Sequence, residues 1–210
     1  MDERAALTFG AVVFEGTEEL DLVGPWEVFG MHVRDRENQE LFLMGPQAGE
    51  PVRCAKRLQL MPDHGYADAP KADVLIVPGG KGVRPLLEDE AFLTWLRGRC
   101  EQARWVFSIC TGSGLLANCG WAAGKRVTTH WGFVETLREL GPAEVLEDTR
   151  FVRDGQLLTA AGVSAGIDAA LWLVGELESP ERARQVQRDM EYDPQPPYGP
   201  GPSGAGASRS

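Results

Sequence analysis

Several short apolar runs, each ended by turn-forming residues, constrain the fold of this chain most. Residues 7–14 read LTFGAVVF, residues 73–77 read DVLIV and residues 104–109 read RWVFSI. A short continuous apolar run is typical of a strand that is covered on both faces. Segments with helical spacing of apolar residues, such as 92–100 and 167–177, follow these runs. The alternation predicts an α/β fold with a mostly parallel central sheet.

The connection after the first strand is rich in acidic residues and contains a signal for a helix start. Pro25 stands just inside a predicted helix over residues 26–33, because proline is favoured in the first helical turn. This prediction leaves Asp21 in a loop between strand and helix. Further along, residue 52 and residues 58–61 predict a hairpin at the edge of the sheet.

Length and composition predict how the chain is divided. With 210 residues, 43% of them hydrophobic, the chain has material for one sizeable core. Residues 1–193 are therefore predicted to form a single domain. Residues 194–210 read PQPPYGPGPSGAGASRS and contain too few apolar groups to offset the entropy of ordering, which predicts a flexible tail.

The charge balance and the missing motifs narrow the class of partner. A formal net charge of −10 opposes attraction to nucleic acid or to anionic lipid. The sequence has no stretch long enough to span a bilayer and no basic start typical of a secretory signal. It also has no phosphate-binding glycine motif. We expect a cytoplasmic protein that acts on a small molecule and does not bind nucleic acid or membrane.

The four cysteines are predicted to be free thiols that hold no metal. Cys54, Cys100, Cys110 and Cys119 form no CxxC pair and have no histidine at metal-ligand spacing. Three of them are interpreted as structural.

Cys110 is the exception, because it ends an apolar strand and precedes a run of small residues that opens a helix. This is the layout of a nucleophile elbow, a tight turn that holds a reactive side chain above a sheet. The start of the helix is expected to lower the pKa of this thiol below that of the other three cysteines. The alternative is that Cys110 is a small buried apolar residue, as most free cysteines are.

Other candidate residues follow strands that end at the same edge of the sheet. Asp21 is a candidate proton donor or acceptor, or alternatively a solvated loop acid or helix cap. Gly79 and Gly80 are predicted to present amide N–H groups toward charge that develops near Cys110, or to form an ordinary turn. His130 suggests a thiol protease or amidase, or alternatively a packed interior residue.

Five segments together resemble the DJ-1/PfpI superfamily and, within it, the isocyanide hydratase group. Their similarity runs over nearly the whole chain. The segments are LDLVGP at 20–25, VPGGKG at 77–82, SICTGS at 108–113, TTHW at 128–131 and GVSAGID at 162–168.

The resemblance implies a flavodoxin-like three-layer sandwich, usually a homodimer, that uses no metal or organic cofactor. It implies addition of water to an isocyanide, which gives an N-substituted formamide through a thioimidate on Cys110. Asp21 would be the general acid and base. Thr111 would act with the amides of Gly79 and Gly80 to orient the substrate. Ile109 and His130 would line the site.

The same resemblance leaves other functions open. Peptidases of the PfpI type have a histidine directly after the cysteine, whereas this chain has Thr111, so the protease hypothesis weakens. A glyoxalase-like enzyme and a cysteine-based sensor of oxidants without turnover remain alternatives. The TTHW segment also resembles ligand-binding domains of AraC-type regulators, although we expect no direct DNA binding. The short side chain of Asp21, where many DJ-1-like proteins have glutamate, favours the hydratase.

Overall fold

The computed structural model describes residues 6–34, 36–142 and 144–198. Of the predicted tail, residues 194–198 form neither helix nor strand, and residues 199–210 lie outside the described residues. No helix in the described part of the chain is long and apolar enough to cross a bilayer.

A central sheet organises the fold. Within the described residues it has seven strands in the order β10-β11-β7-β6-β1-β2-β5, and every neighbouring pair is parallel except β10 with β11. The strands of the whole structure are β1 Leu7–Val12, β2 Gln39–Gly45, β3 Val52–Arg53, β4 Gln59–Leu60, β5 His64–Gly65, β6 Val74–Val77, β7 Trp105–Ile109, β8 Arg126–Val127, β9 Glu144–Val145, β10 Phe151–Asp154 and β11 Leu157–Ala160.

Helices cover both faces of this sheet. One layer contains α1, α6 and α7, which contact one another, and the other contains α2, α3, α4 and α5 around α4. Their bounds are α1 Glu19–Val33, α2 Val83–Leu86, α3 Glu90–Gln102, α4 Gly112–Asn118, α5 Val134–Glu139, α6 Ala165–Leu177 and α7 Pro180–Asp189. The predicted three-layer α/β sandwich with a mostly parallel sheet is confirmed.

The strand β6 shows why the apolar runs are continuous. Val74 and Ile76 face the core beneath α1 and α6, whereas Leu75 and Val77 face the core beneath α3 and α4. Successive side chains of a strand point to opposite faces, so a strand between two helix layers needs apolar residues at every position. All four of these residues are fully buried.

Two local predictions were wrong. Helix α1 begins at Glu19, seven residues before the predicted start, so Asp21 lies in its first turn and not in a loop. Acidic side chains stabilise a helix N-terminus, and Pro25 is tolerated inside the helix although it supplies no N–H for the Asp21 carbonyl. The hairpin formed by β3 and β4 exists, but it is a separate two-stranded sheet, and β5 occupies the edge of the main sheet.

Candidate active site

The carboxyl ends of four strands meet at one edge of the sheet. Helix α1, which carries Asp21, follows β1, and the glycines Gly79 and Gly80 follow β6. Cys110 directly follows β7, and Val163 follows β11. In parallel α/β sheets this edge is where ligands bind. The fold therefore brings together Asp21, the loop of Gly79 and Gly80, and Cys110, which the sequence identified separately as candidate site residues.

Cys110 adopts the backbone conformation of a strained elbow. Its φ is +57°, a left-handed backbone conformation that residues other than glycine rarely adopt. Its N–H donates to the Ala160 carbonyl at 3.0 Å, and its carbonyl accepts from the hydroxyls of Thr129 at 2.8 Å and Ser113 at 3.1 Å. These three hydrogen bonds hold the strained residue in place, because each would be lost if the peptide rotated.

Asp21 lies beside this thiol and is fully buried. The N–H of Gly79 donates to its Oδ2 at 3.0 Å. Its Oδ1 is buried without a hydrogen-bond partner of ordinary geometry among the described residues. Burial raises the pKa of Asp21 to about 7, against the lowering effects of the Gly79 N–H and of the Cys110 thiol. Near neutral pH this carboxyl is therefore able both to accept and to donate a proton.

The predicted low pKa of Cys110 was wrong for the resting protein. Burial, and after it the charge of Asp21, raise the pKa of this thiol to about 12. Cys110 is only 6% exposed, so desolvation outweighs the helix start. The consequence is that the thiol keeps its proton until a base removes it, and Asp21 is the adjacent group that can do so.

Two backbone N–H groups face the sulfur of Cys110. The backbone amides of Thr111 and Val163 lie close enough to the sulfur to lower the pKa of the thiol. An N–H donor stabilises a thiolate more than a thiol, so these two amides form a cradle for negative charge on sulfur. Val163 was not among the predicted site residues, although it lies in the segment 162–168 that resembles the family.

The loop of Gly79 and Gly80 has a different role from the one predicted. Gly79 donates to Asp21, and the N–H of Gly80 donates to Thr111 Oγ1 at 2.9 Å, so neither amide points into an open site. A Cβ on Gly79 would lie 2.6 Å from Thr111 N and 2.9 Å from Asp21 Oδ2. Only glycine fits here, and the loop positions the acid and Thr111 instead of facing the substrate directly.

Ile109 and His130 lie in different surroundings. Ile109 is fully buried and packs toward Gly166 and helix α6, so it supports the elbow from below and does not line an open site. His130 is half-buried, and its Nδ1 accepts from the Gly132 N–H at 3.1 Å. No hydrogen bond among the described residues joins His130 to Cys110.

A cleft of about 310 Å³ adjoins the site on the side of His130. It lies against the Gly162 backbone, where an added Cβ would be 2.8 Å from the His130 ring. Trp131, whose ring is 5.2 Å from that of His130, is 70% exposed at the cleft. The cleft has room for the organic part of a small substrate. It is lined by Thr128, Thr129, His130, Trp131, Val134, Glu147, Asp148, Thr149, Arg150, Ala161 and Gly162.

The three other cysteines are free and buried, as predicted. Burial, and after it the nearby carboxylates Glu19, Glu15 and Glu18, raise the pKa of Cys54 to about 11. Within the described ranges, no three His, Cys, Asp or Glu side chains are grouped so as to hold a metal ion.

The chain is similar in sequence to one protein family and to several named proteins. The model of the DJ-1/PfpI family matches residues 10–176. A protein of Pseudomonas putida named isonitrile hydratase is 42% identical over 196 residues, which cover 93% of this chain and 83% of that protein. A Parkinson disease protein 7 homolog of Danio rerio is 30% identical over 183 residues, which cover 85% of this chain and 94% of that protein.

The fold of the chain is also similar to that of a solved structure. The crystal structure of a ThiJ/PfpI family protein from Pseudomonas syringae superimposes with a TM-score of 0.85 at 30% sequence identity. The superposition covers 94% of this chain and 80% of that one. The agreement of sequence, fold and elbow geometry leads to one conclusion: this chain belongs to the DJ-1/PfpI family.

Proposed function

We propose that this protein is an isocyanide hydratase, which adds water to an isocyanide to give an N-substituted formamide. The observation that carries the proposal is the buried pair of Cys110 and Asp21, a thiol at a strained elbow next to a carboxyl with a pKa of about 7. The 42% identity to a protein named isonitrile hydratase, over 93% of this chain, supports this assignment within the family.

The first step forms a covalent intermediate. Asp21 accepts the thiol proton as the Cys110 sulfur bonds to the terminal carbon of R–N≡C, and it then donates that proton to the same carbon. The product of this step is a thioimidate, Cys–S–CH=N–R. A carboxyl with a pKa near the working pH is suited to both transfers. The amides of Thr111 and Val163 stabilise the charge on sulfur during the attack.

The second step consumes water. Addition of H₂O across the C=N bond gives Cys–S–CH(OH)–NH–R, and Asp21 is the group placed to accept a proton from the water. The carbon–sulfur bond then breaks, the sulfur recovers a proton, and R–NH–CHO leaves. The balance is one isocyanide and one water for one formamide. Every proton stays within the pair and the substrate, so the step needs no cofactor.

Two of the alternatives fit the site less well. A thiol protease requires a base such as histidine next to the sulfur, and the hydrogen bonds of His130 do not reach Cys110. A peroxide sensor requires a large thiolate fraction at neutral pH, whereas burial raises the pKa of Cys110 to about 12. A glyoxalase-like reaction also uses a thiol and an acid, so substrate tests must separate it from the hydratase.

We also propose that the protein is a cytoplasmic homodimer. Leu20 and Val23 are exposed on the outer face of helix α1, an apolar face suited to a second copy. Four free cysteines fit a reducing compartment. Light scattering after size-exclusion chromatography tests the dimer, and a mass near 22.9 kDa would contradict it.

The direct test is turnover of p-nitrophenyl isocyanide, followed by ultraviolet absorbance, by wild type, Cys110→Ala and Asp21→Asn. We expect formamide from the wild type, and a loss of at least about a hundredfold in each variant because nucleophile and proton carrier act as a unit. Asp21→Asn keeps an acceptor for the Gly79 N–H, so it removes the proton chemistry with little change in shape.

Cys100→Ala is the matched control, since Cys100 is also buried but lies in helix α3 beside Cys119. It should turn over isocyanide within twofold of the wild type. An inactive wild type that converts methylglyoxal would replace the hydratase with a glyoxalase-like enzyme. Unchanged turnover in Cys110→Ala would reject the mechanism.

A further inference from the structure

A polar network outside the reacting groups surrounds the loop that carries Val163. The guanidinium of Arg150 pairs with Asp168 near the start of α6, and Asp168 Oδ1 accepts from the Tyr192 hydroxyl at 2.8 Å. Arg150 also donates to the Ser164 carbonyl at 3.2 Å and to the Ser164 hydroxyl at 3.4 Å. The three network residues come from distant parts of the chain and converge on this one loop.

Arg150 contacts both sides of the loop. Its own carbonyl accepts from the Ala161 N–H at 2.9 Å, and its guanidinium holds Ser164. Between these two attachments lies Val163, whose φ is +29°. A β-branched residue at positive φ is strained, so surrounding contacts must hold it there. The loop begins directly after Ala160, whose carbonyl accepts from the Cys110 N–H at 3.0 Å, and the Val163 amide lowers the pKa of the Cys110 thiol.

We propose that Arg150 is a positioning residue for the reaction of Cys110, and that Asp168 and Tyr192 orient it. The guanidinium fixes Ser164, and through it the Val163 amide that faces the sulfur. Arginine suits this task because its planar fork binds the Asp168 carboxylate and the Ser164 oxygens at the same time. The inference rests on the proposed hydratase function, since the reaction that it supports is attack by this thiol.

The network also links the segment that follows α7 to the loop that carries Val163. Tyr192 follows α7, and its hydroxyl reaches Asp168 across 24 residues of sequence. The C-terminal segment therefore takes part in holding the Val163 loop. Asp168 therefore has a position in a chain of contacts that runs through Arg150 and Ser164 toward Cys110.

Two measurements test the proposal with Arg150→Met. Isocyanide turnover should show a kcat about tenfold lower, because the displaced amide acts on charge that develops on sulfur. The second measurement is the rate of alkylation of Cys110 by iodoacetamide, resolved by mass spectrometry of its peptide. It should also fall about tenfold, while the rate at Cys54 stays within twofold.

Graded variants and a control sharpen the test. Arg150→Lys keeps the charge facing Asp168 but loses the fork, so it should lie between wild type and Arg150→Met. Tyr192→Phe removes one hydroxyl and should cost about threefold in alkylation rate. Arg184→Met removes a comparable ion pair, with Glu181 at 3.0 Å on the exposed face of α7, and should behave as wild type.

The outcomes separate this inference from the proposed function. Alkylation does not depend on isocyanide turnover, so an inactive wild type would reject the hydratase while the network remained testable. Cys110 alkylation that is unchanged or faster in Arg150→Met, in a variant with a wild-type melting temperature, would overturn the positioning role. A rise in KM alone, with kcat unchanged, would also overturn it.

Discussion

Two regions of this molecule bury cysteine thiols at the ends of short elements, and they treat the sulfur differently. One is the Cys110 elbow after β7. The other is the contact between α3 and α4, where Cys100 and Cys119 lie next to each other. All three thiols are at most 8% exposed. Burial alone therefore does not distinguish a reactive cysteine from a structural one.

The difference lies in backbone conformation and in the partner. Cys110 has φ +57° and a carboxyl with a pKa of about 7 beside it. Cys119 has φ −75°, and its neighbour is a second thiol. Burial raises the pKa of Cys100, and the hydrogen bond from Cys100 lowers that of Cys119. One region stores strain and holds a buried carboxyl with a raised pKa, whereas the other is an ordinary helix contact.

The largest expected contrast is in the pH dependence of stability. The pKa of Asp21 is raised from 3.8 to about 7 on folding, so its stabilising effect is complete below pH 3.8 and is lost as pH rises through 7. Through this group the wild type should lose about 3 kcal/mol of unfolding free energy between pH 5 and pH 8. Asp21→Asn should not, whereas Cys100→Ala should retain the wild-type difference. Urea unfolding at both pH values measures it, and equal differences in wild type and Asp21→Asn would refute the buried-acid interpretation.

A smaller contrast is expected between two glycines, one in each region. A Cβ on Gly112 at the elbow would lie 2.3 Å from the Val77 carbonyl oxygen, whereas a Cβ on Gly98 in α3 would meet nothing within 4 Å. Gly112→Ala should therefore cost about 2 kcal/mol of unfolding free energy through overpacking. Gly98→Ala should gain about 0.5–1 kcal/mol through helix propensity. Chemical denaturation of both variants measures these changes in unfolding free energy. An unchanged unfolding free energy in Gly112→Ala would show that the elbow can expand.

The smallest contrast is a reversal of sign. At Cys110 glycine should give a more stable protein than alanine by about 1 kcal/mol, because glycine adopts positive φ without strain. At Cys119, where φ is −75°, glycine should be the less stable by about 0.5–1 kcal/mol. Each glycine variant is compared with the alanine variant at the same position, so the loss of the thiol cancels. The same sign at both positions would remove strain from the description of the elbow.

Particular residues show how far sequence reasoning reached. The runs at 73–77 and 104–109 predicted buried parallel strands, and β6 and β7 confirm both. Helix α7 was missed, although Ser179 followed by Pro180 is a start signal: the Ser179 hydroxyl accepts from the Arg182 N–H at 3.2 Å. The early start of α1 was missed because Pro25 is also compatible with a first turn.

The sequence predicted which residues lie at this edge of the sheet better than it predicted the contacts between them. Cys110 and Asp21 come together as their strand ends predicted, because parallel strands place their carboxyl ends at one edge. The partners of Gly79 and Gly80 and the approach of the Val163 amide to Cys110 were not predictable. Each of these depends on distances between segments that lie far apart in the chain.

By itself, the sequence determined the layered fold and the position of Cys110 at an elbow, since these follow from local patterns of apolar runs, small residues and one cysteine. Only the tertiary structure decided which groups of the site carry a proton near neutral pH. Burial raises the pKa values of Asp21 and Cys110, and the same packing brings Val163 and Arg150 to the loop above the thiol. Desolvation and hydrogen-bond geometry are properties of the assembled layers, and no single segment contains them.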